Sequence, residues 1–243
     1  MSSLPAQPNQ SLLEGLEVLL AVAQSGEPVG VRALGRELGL SPSRVQRYLA
    51  TLAHLELTDR KPDRRYGTGP GIHALSAISL SASGLAARAL TLLPDLAEND
   101  RIIALGVLWR STVNYLYFNT PGHSVSQSLG KANGYPARES SIGLLMLATR
   151  EESSIRDYFA DEAEEILPLL TPIREKGYAV IHRDTGETSL AVPVGDPPVA
   201  GLASSGFFTA KEQQSLLTRL QEAADQISEP SPIQTNQTQP IPL

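Results

Sequence analysis

LSPSRVQRYLATL, residues 40–52, is the stretch on which the fold turns. Ser41 can cap a helix, and Pro42 then stands at the first helical position, where a missing N–H costs nothing. Val45, Tyr48, Leu49 and Leu52 fall within one stripe of that helix. The other side carries Ser43, Arg47, Ala50 and His54, flanked by Arg44 and Gln46. Arginines near the positive end of a helix oppose its dipole in water. They become favourable where a phosphate backbone lies close, because helix end and side chains then face the same anions.

On the N-terminal side, VRALGREL (31–38) predicts a short helix with Val31, Leu34 and Leu38 on one side and Gly39 placed for a left-handed C-terminal turn. Before it, Ser11 and Glu14 have the spacing of a capping box. Leu12, Leu16, Leu19, Leu20 and Ala23 follow at helical spacing as the expected apolar face. On the C-terminal side, LELTDRKPDRRYGTG (55–69) reads as two short strands around a turn at Lys61-Pro62-Asp63-Arg64. Three helices and a basic hairpin in this order predict a winged helix-turn-helix. In such proteins the outer face of the third helix enters the major groove, N-terminal residues nearest the base edges. Ser41, Ser43, Arg44, Gln46 and Arg47 are the expected readers or anchors on the helix. Lys61, Arg64 and Arg65, with Arg60, are those on the wing, and Tyr66 is a candidate sugar or backbone contact.

Charge supports this placement. The net charge is −6, which by itself argues against nucleic acid. Residues 31–70, however, hold eight basic groups against four acids, a basic island in an acidic chain. The alternative is a solvated charged surface. The 243 residues suffice for one large domain or two small ones. No cysteine is present, which fits a reducing cytoplasm. No apolar run approaches the roughly 18 residues of a membrane span. MSSLPAQPNQ, at the start, has neither a basic n-region nor an apolar h-region, so no signal peptide is expected.

The remainder has a different texture. Residues 71–92 are rich in small residues and predict a long helix that joins two domains, weakened by Gly84. IIALGVLWR and VNYLYFNT read as strands with a turn near Arg110-Ser111, and HSVSQSLG as a candidate third. Ser140 or Ser141 can cap a helix through SIGLLMLAT. Residues 151–176 are helical in pattern, with interruptions expected at Pro168 and Pro172. GYAVIHR, SLAVPVG and PVAGLASSG are further strands, and Thr209 with Glu212 opens a last helix by a capping box. Strands mixed with helices predict an α+β domain. The expected layout is a DNA-binding domain at 1–74, a linker helix at 75–92, an effector domain at 93–228, and a disordered proline-containing tail at 229–243.

Taken together, VRALGRELGLSPSRVQRYLATLAHLEL and RRYGTGPGIHALS resemble the helix-turn-helix, wing and linker of the IclR-type bacterial transcriptional regulators. YPARESSIGLLMLA, REKGYAVIHRDTGETSLAVPV and GLASSGF resemble the second half of that family in outline. The resemblance implies a GAF-like α/β effector domain that binds a small organic acid. It also implies dimers, commonly paired into tetramers, on a near-palindromic operator. The family's pocket, carried over, falls on Ser140, Ser141, Asp184, Ser189 and Ser205. Ser189 stands where cysteine is common, Ala203 where serine is common, and Arg138 where histidine is often seen. Arg138 is therefore the expected cationic partner of an effector carboxylate.

Other chemistry finds no support. His54, His73, His123 and His182 are widely spaced, none with a partner at metal-ligand spacing. No G-x-S-x-G elbow or Walker spacing occurs. The chain is thus read as a non-enzymatic, cytoplasmic regulator with no metal, cofactor or catalytic residue. The competing readings are a constitutive DNA-binding protein with a vestigial sensor and an enzyme carrying a DNA-binding appendage.

Overall fold

The computed structural model describes residues 7–96, 101–119 and 134–229. The candidate strand HSVSQSLG and all but the first residue of the expected tail lie outside the described residues. The chain divides into two compact units, Met1–Ala82 and Ser83–Leu243.

In the first unit, α1 (Gln10–Gln24), α2 (Val31–Leu38) and α3 (Pro42–His54) are followed by the antiparallel pair β1 (Thr58–Arg60) and β2 (Tyr66–Thr68), then α4 (Pro70–Ser83). Val18, Leu34, Val45, Leu49 and Tyr66 form its centre. Gly39 has φ 66°, the left-handed value that lets the chain turn sharply between α2 and α3. The wing is fixed on both sides: β2 pairs with β1, and the Tyr66 N–H and C=O exchange bonds with Val29 at 2.8 Å each.

The start of α1 departs from expectation. Asn9, not Ser11, is the cap, and its side chain accepts from the Leu12 N–H. Glu14 is a core residue, 5 % exposed, beside Val18, Ala21 and Val22. Leu12, Leu13 and Leu16 face outward instead. The acid can sit inside because its carboxylate is fully employed. It accepts from the Tyr48 hydroxyl at 2.7 Å and from Gln10 Nε2 at 3.2 Å, and pairs with Arg44 Nη2 at 3.0 Å.

In place of one long helix, α4 ends at Ser83 and α5 (Leu85–Leu96) begins after Gly84, whose φ of 64° breaks the helical path. The second unit continues with β3 (Ile102–Trp109), β4 (Thr112–Asn119), β5 (Tyr135–Pro136), α6 (Ser141–Ala148), α7 (Glu152–Phe159), α8 (Ala163–Lys176), β6 (Ala179–His182), β7 (Thr188–Val194), β8 (Ala200–Gly206) and α9 (Ala210–Ser228). The strands make one antiparallel sheet, order β5-β4-β3-β8-β7-β6. Strand alternation gives it two faces. Ile103, Leu105, Leu190, Val192 and Leu202 pack toward α5 and α9. Ala104, Ala191 and Ala203 face α6 and α8.

The helical stretch 151–176 breaks at Ala160, φ 46°, and not at its prolines. Pro168 and Pro172 lie four apart on the exposed side of α8, while Ile166, Leu170 and Ile173 pack inward. The carbonyls that lose an N–H partner there can turn to water. The Thr209–Glu212 capping box of α9 is complete.

A bulge between Leu105 and Gly106 shifts the register of β3 against β4. Leu116 and Tyr117 consequently share the α5/α9 side, whereas Tyr115 and Phe118 both face the α6 side. Their rings meet edge to face at 5.1 Å.

Candidate nucleic-acid interface and ligand cavity

Burial of Val45, Tyr48, Leu49 and Leu52 leaves Ser43, Arg44, Gln46, Arg47 and Ala50 exposed on α3. Ser41 caps the helix, its Oγ accepting from the Arg44 N–H and lying 3.2 Å from Ser43 Oγ. Arg44 is half exposed despite its pair with Glu14. The Tyr48 hydroxyl, then Gln10, Arg44 and Arg47, hold the Glu14 carboxyl below its usual pKa against the opposing effect of burial. Arg47 makes no ion pair among the described residues, and its guanidinium lies 6.0 Å from the Tyr48 ring centroid.

On the wing, Lys61 pairs with Asp59 at 2.8 Å and Arg65 with Asp63 at 2.6 Å. The Arg65 hydrogen bonds depress the Asp63 pKa. Arg60 and Arg64 are exposed and have no such partner among the described residues. Arg64 sits at the tip with φ 65°, closing the turn through its N–H to the Lys61 carbonyl at 2.9 Å. Tyr66 is not a surface contact. Its ring is 2 % exposed and belongs to the core, and its hydroxyl accepts from Gln46 Nε2 at 2.9 Å. Alternation along β2 turns Tyr66 inward, because that strand covers α1 and α3.

In the second unit, β3, β4, β7, β8 and the start of α6 line a half-open cavity of about 610 Å³, within the range of small-molecule sites. Ser140 caps α6 by accepting from the Gly143 N–H at 3.2 Å. Ser189 and Ser205 are direct cross-strand partners, so their hydroxyls meet at 2.8 Å. Ser141 reaches Ser189 from the first turn of α6 at 2.7 Å. Three hydroxyls thus converge on one wall. Ala104 and Ala203, also cross-strand partners, make a small apolar floor. Tyr115, Phe118 and Tyr135 supply aromatic surface. Burial pushes the Tyr115 phenol above its usual pKa, so it stays a neutral donor, with Ser140 and Arg183 opposing the shift.

The family model of the IclR helix-turn-helix domain matches residues 11–62. This segment is an IclR-type helix-turn-helix domain. No curated protein matches its sequence. Three solved structures illustrate the shared fold. An IclR transcriptional regulator from Silicibacter sp. TM1040 is 18 % identical, covers 90 % of this chain and 94 % of its own, with a TM-score of 0.76. An IclR family regulator from Brucella abortus is 21 % identical over 93 % and 95 %, TM-score 0.72. An IclR homolog from Microbacterium hydrocarbonoxydans, complexed with 4-hydroxybenzoate, is 20 % identical over 90 % and 98 %, TM-score 0.65.

In this chain, Ser140, Ser141, Ser189 and Ser205 all line the one cavity. Arg138 and Asp184 do not; both line a neighbouring groove between α8 and β6, which Arg183 also borders. The 3₁₀ turn Ala137–Glu139 buries Ala137 and turns Arg138 away, toward Glu162 at 2.6 Å and Glu139 at 3.7 Å. Among the described residues, the cation that lines the cavity is Arg183, which sequence reasoning missed. It is set by the turn between β6 and β7, where Arg183 N–H donates to the Glu187 carbonyl. Its Nη2 reaches the Glu139 carbonyl at 3.4 Å, and its Nε lies 3.9 Å from Glu187 Oε2. The only signal for it was its position one residue before Asp184. Among the described residues, no group of His, Cys, Asp or Glu could hold a metal. No single described helix is long and apolar enough to cross a membrane.

Proposed function

We propose that the chain is an IclR-type transcriptional regulator that binds a near-palindromic double-stranded operator as a homodimer or tetramer, and that a small carboxylate in the cavity alters its affinity for that DNA. Ser41, Ser43, Arg44, Gln46 and Arg47 read or anchor on the helix, and Lys61, Arg64 and Arg65 hold phosphates. Exposed Leu12 and Leu16 on α1, and Leu75 and Ile78 on α4, support self-association. Two symmetric copies put two reading helices about one duplex turn apart. Acting on DNA places its work in the cytoplasm.

The observation that carries the effector reading is the convergence of the Ser141, Ser189 and Ser205 hydroxyls in a cavity that also presents Arg183. Hydroxyls, α6 N–H groups and a guanidinium suit a carboxylate, and the alanine floor with Tyr115 and Phe118 suits an apolar or aromatic body. The effector must favour the DNA-competent state or its alternative to act at all.

Calorimetry with 4-hydroxybenzoate, benzoate and aliphatic carboxylates tests this. Binding to wild type and to Arg138→Ala, with loss in Arg183→Ala, is the expected pattern. A second reading, a constitutive regulator with a vestigial sensor, draws on Ala203, where a hydroxyl is missing. It gains if no carboxylate binds wild type or shifts its melting temperature.

A further inference from the structure

We infer that Tyr66, a buried residue of the wing, is a positioning residue that fixes the Gln46 amide to read adenine at one base pair in each half-site. The inference rests on the DNA-binding reading above and assigns a specificity to it.

Gln46 is exposed on the outer face of α3, between Arg44 and Arg47. A glutamine there has several rotatable bonds, and an unheld amide can present either its oxygen or its nitrogen to a base. Here it is held. Its Nε2 donates to the Tyr66 hydroxyl at 2.9 Å across 20 residues of chain. The anchor is rigid: the ring is packed in the core, and the Tyr66 backbone is bonded to Val29 on one side and paired with Arg60 on the other.

The hydroxyl takes one of the two amide hydrogens. With the hydroxyl on the hydrogen that points away from the carbonyl oxygen, the second hydrogen and the oxygen lie side by side as one donor and one acceptor. Adenine offers the complement in the major groove, an N7 acceptor beside an N6 donor. A tyrosine with no surface of its own thus sets which edge of Gln46 meets the duplex. The wing acts on sequence through the helix, besides holding phosphates.

The test is selection of the full-length chain on a randomised duplex library, with affinities measured across a salt series. Wild type should prefer adenine at one symmetric position per half-site. Tyr66→Phe keeps the ring in the core, and its melting temperature reports an intact fold. It should lose about fivefold of that preference, the size of one hydrogen bond, while the salt slope set by phosphate contacts stays unchanged. Gln46→Ala should lose the preference entirely, and adding Tyr66→Phe to it should change nothing more. Retained adenine preference in Tyr66→Phe with loss in Gln46→Ala would overturn the positioning role. Wild-type selection with no adenine at any position dependent on Gln46 would overturn the assignment of the base. Absence of any duplex binding by wild type would overturn both this inference and the DNA-binding reading.

Discussion

Arg44 Nη2 lies 3.0 Å from the carboxylate of Glu14, the acid that α1 carries into the core of the DNA-binding unit. One of the two cations at the start of α3 therefore already has a partner within the chain, and Arg47 is the less committed of the two. The pair also restrains Arg44, since freeing it for a phosphate means leaving a buried carboxylate with one contact fewer.

That arrangement gives a pH dependence. The folded pKa of Glu14 lies below its usual value near 4.5, chiefly because the Tyr48 hydroxyl donates to it. The stabilisation is fully present above the unfolded value and is lost as pH falls through the lower folded value. Glu14→Gln should flatten the fall in stability of the DNA-binding unit below about pH 4.5, measured by chemical denaturation. The same variant releases Arg44, so its DNA affinity should rise for all sequences with a steeper salt slope.

Arg47 and Arg64 should fail differently. Arg47→Ala should cost about 1–3 kcal/mol on the operator and little on unrelated duplex, if it reads a base. Arg64→Ala should weaken all sequences alike and reduce the salt slope by about 1. Equal binding curves for both variants and wild type, at matched salt, would remove these residues from the interface.

The tip of the wing separates stability from function. Arg64 holds φ 65°, which costs a residue with a side chain roughly 1 kcal/mol that glycine does not incur. Arg64→Gly should raise the melting temperature of the unit while weakening DNA binding as Arg64→Ala does. A lower melting temperature would show that the side chain contributes more to the fold than its backbone strain takes away.

The cavity depends on close backbone contact at Gly143. A Cβ added there would come within 2.1 Å of the Ala137 carbonyl oxygen. Gly143→Ala must push α6 off the 3₁₀ turn, with an overpacking cost of about 1–3 kcal/mol. Its expected signature is reduced stability together with weakened carboxylate binding, since Ser140 and Ser141 move with the helix.

Ser189 stands between Ser141 and Ser205 in the hydroxyl chain. Ser189→Ala leaves both neighbours without their shared partner, and should cost about 1 kcal/mol of stability and more of effector affinity. Ala203→Ser adds a hydroxyl to the apolar floor and should move preference from aromatic toward more polar carboxylates. Calorimetry on one aromatic and one hydroxylated acid reads both effects.

The parts of this fold that were legible in sequence are those set by local rules. The Ser41-Pro42 start of α3, the Gly39 turn, the Thr209–Glu212 box and the strands on either side of Arg110 all follow from capping, chirality and alternation. The parts that were not depend on partners distant in the chain. Glu14 mimics a capping residue until Tyr48, 34 residues on, donates to it. Tyr66 looks like a surface aromatic until Val29 claims its backbone. Arg138 and Arg183 are equivalent as cations, and only the 3₁₀ turn and the β6–β7 turn decide which one faces the cavity. Tyr115 and Phe118, three apart, share a face only because the bulge adds a residue between them.

The central sheet works as a bulkhead. Neighbouring residues on one strand, Ile103 and Ala104 or Leu202 and Ala203, belong to opposite compartments. Enlarging or shrinking the alanines recuts the chamber on one side, while the leucine and isoleucine layer under α5 and α9 keeps its fit. A domain so partitioned can change what its cavity accepts without first becoming unstable.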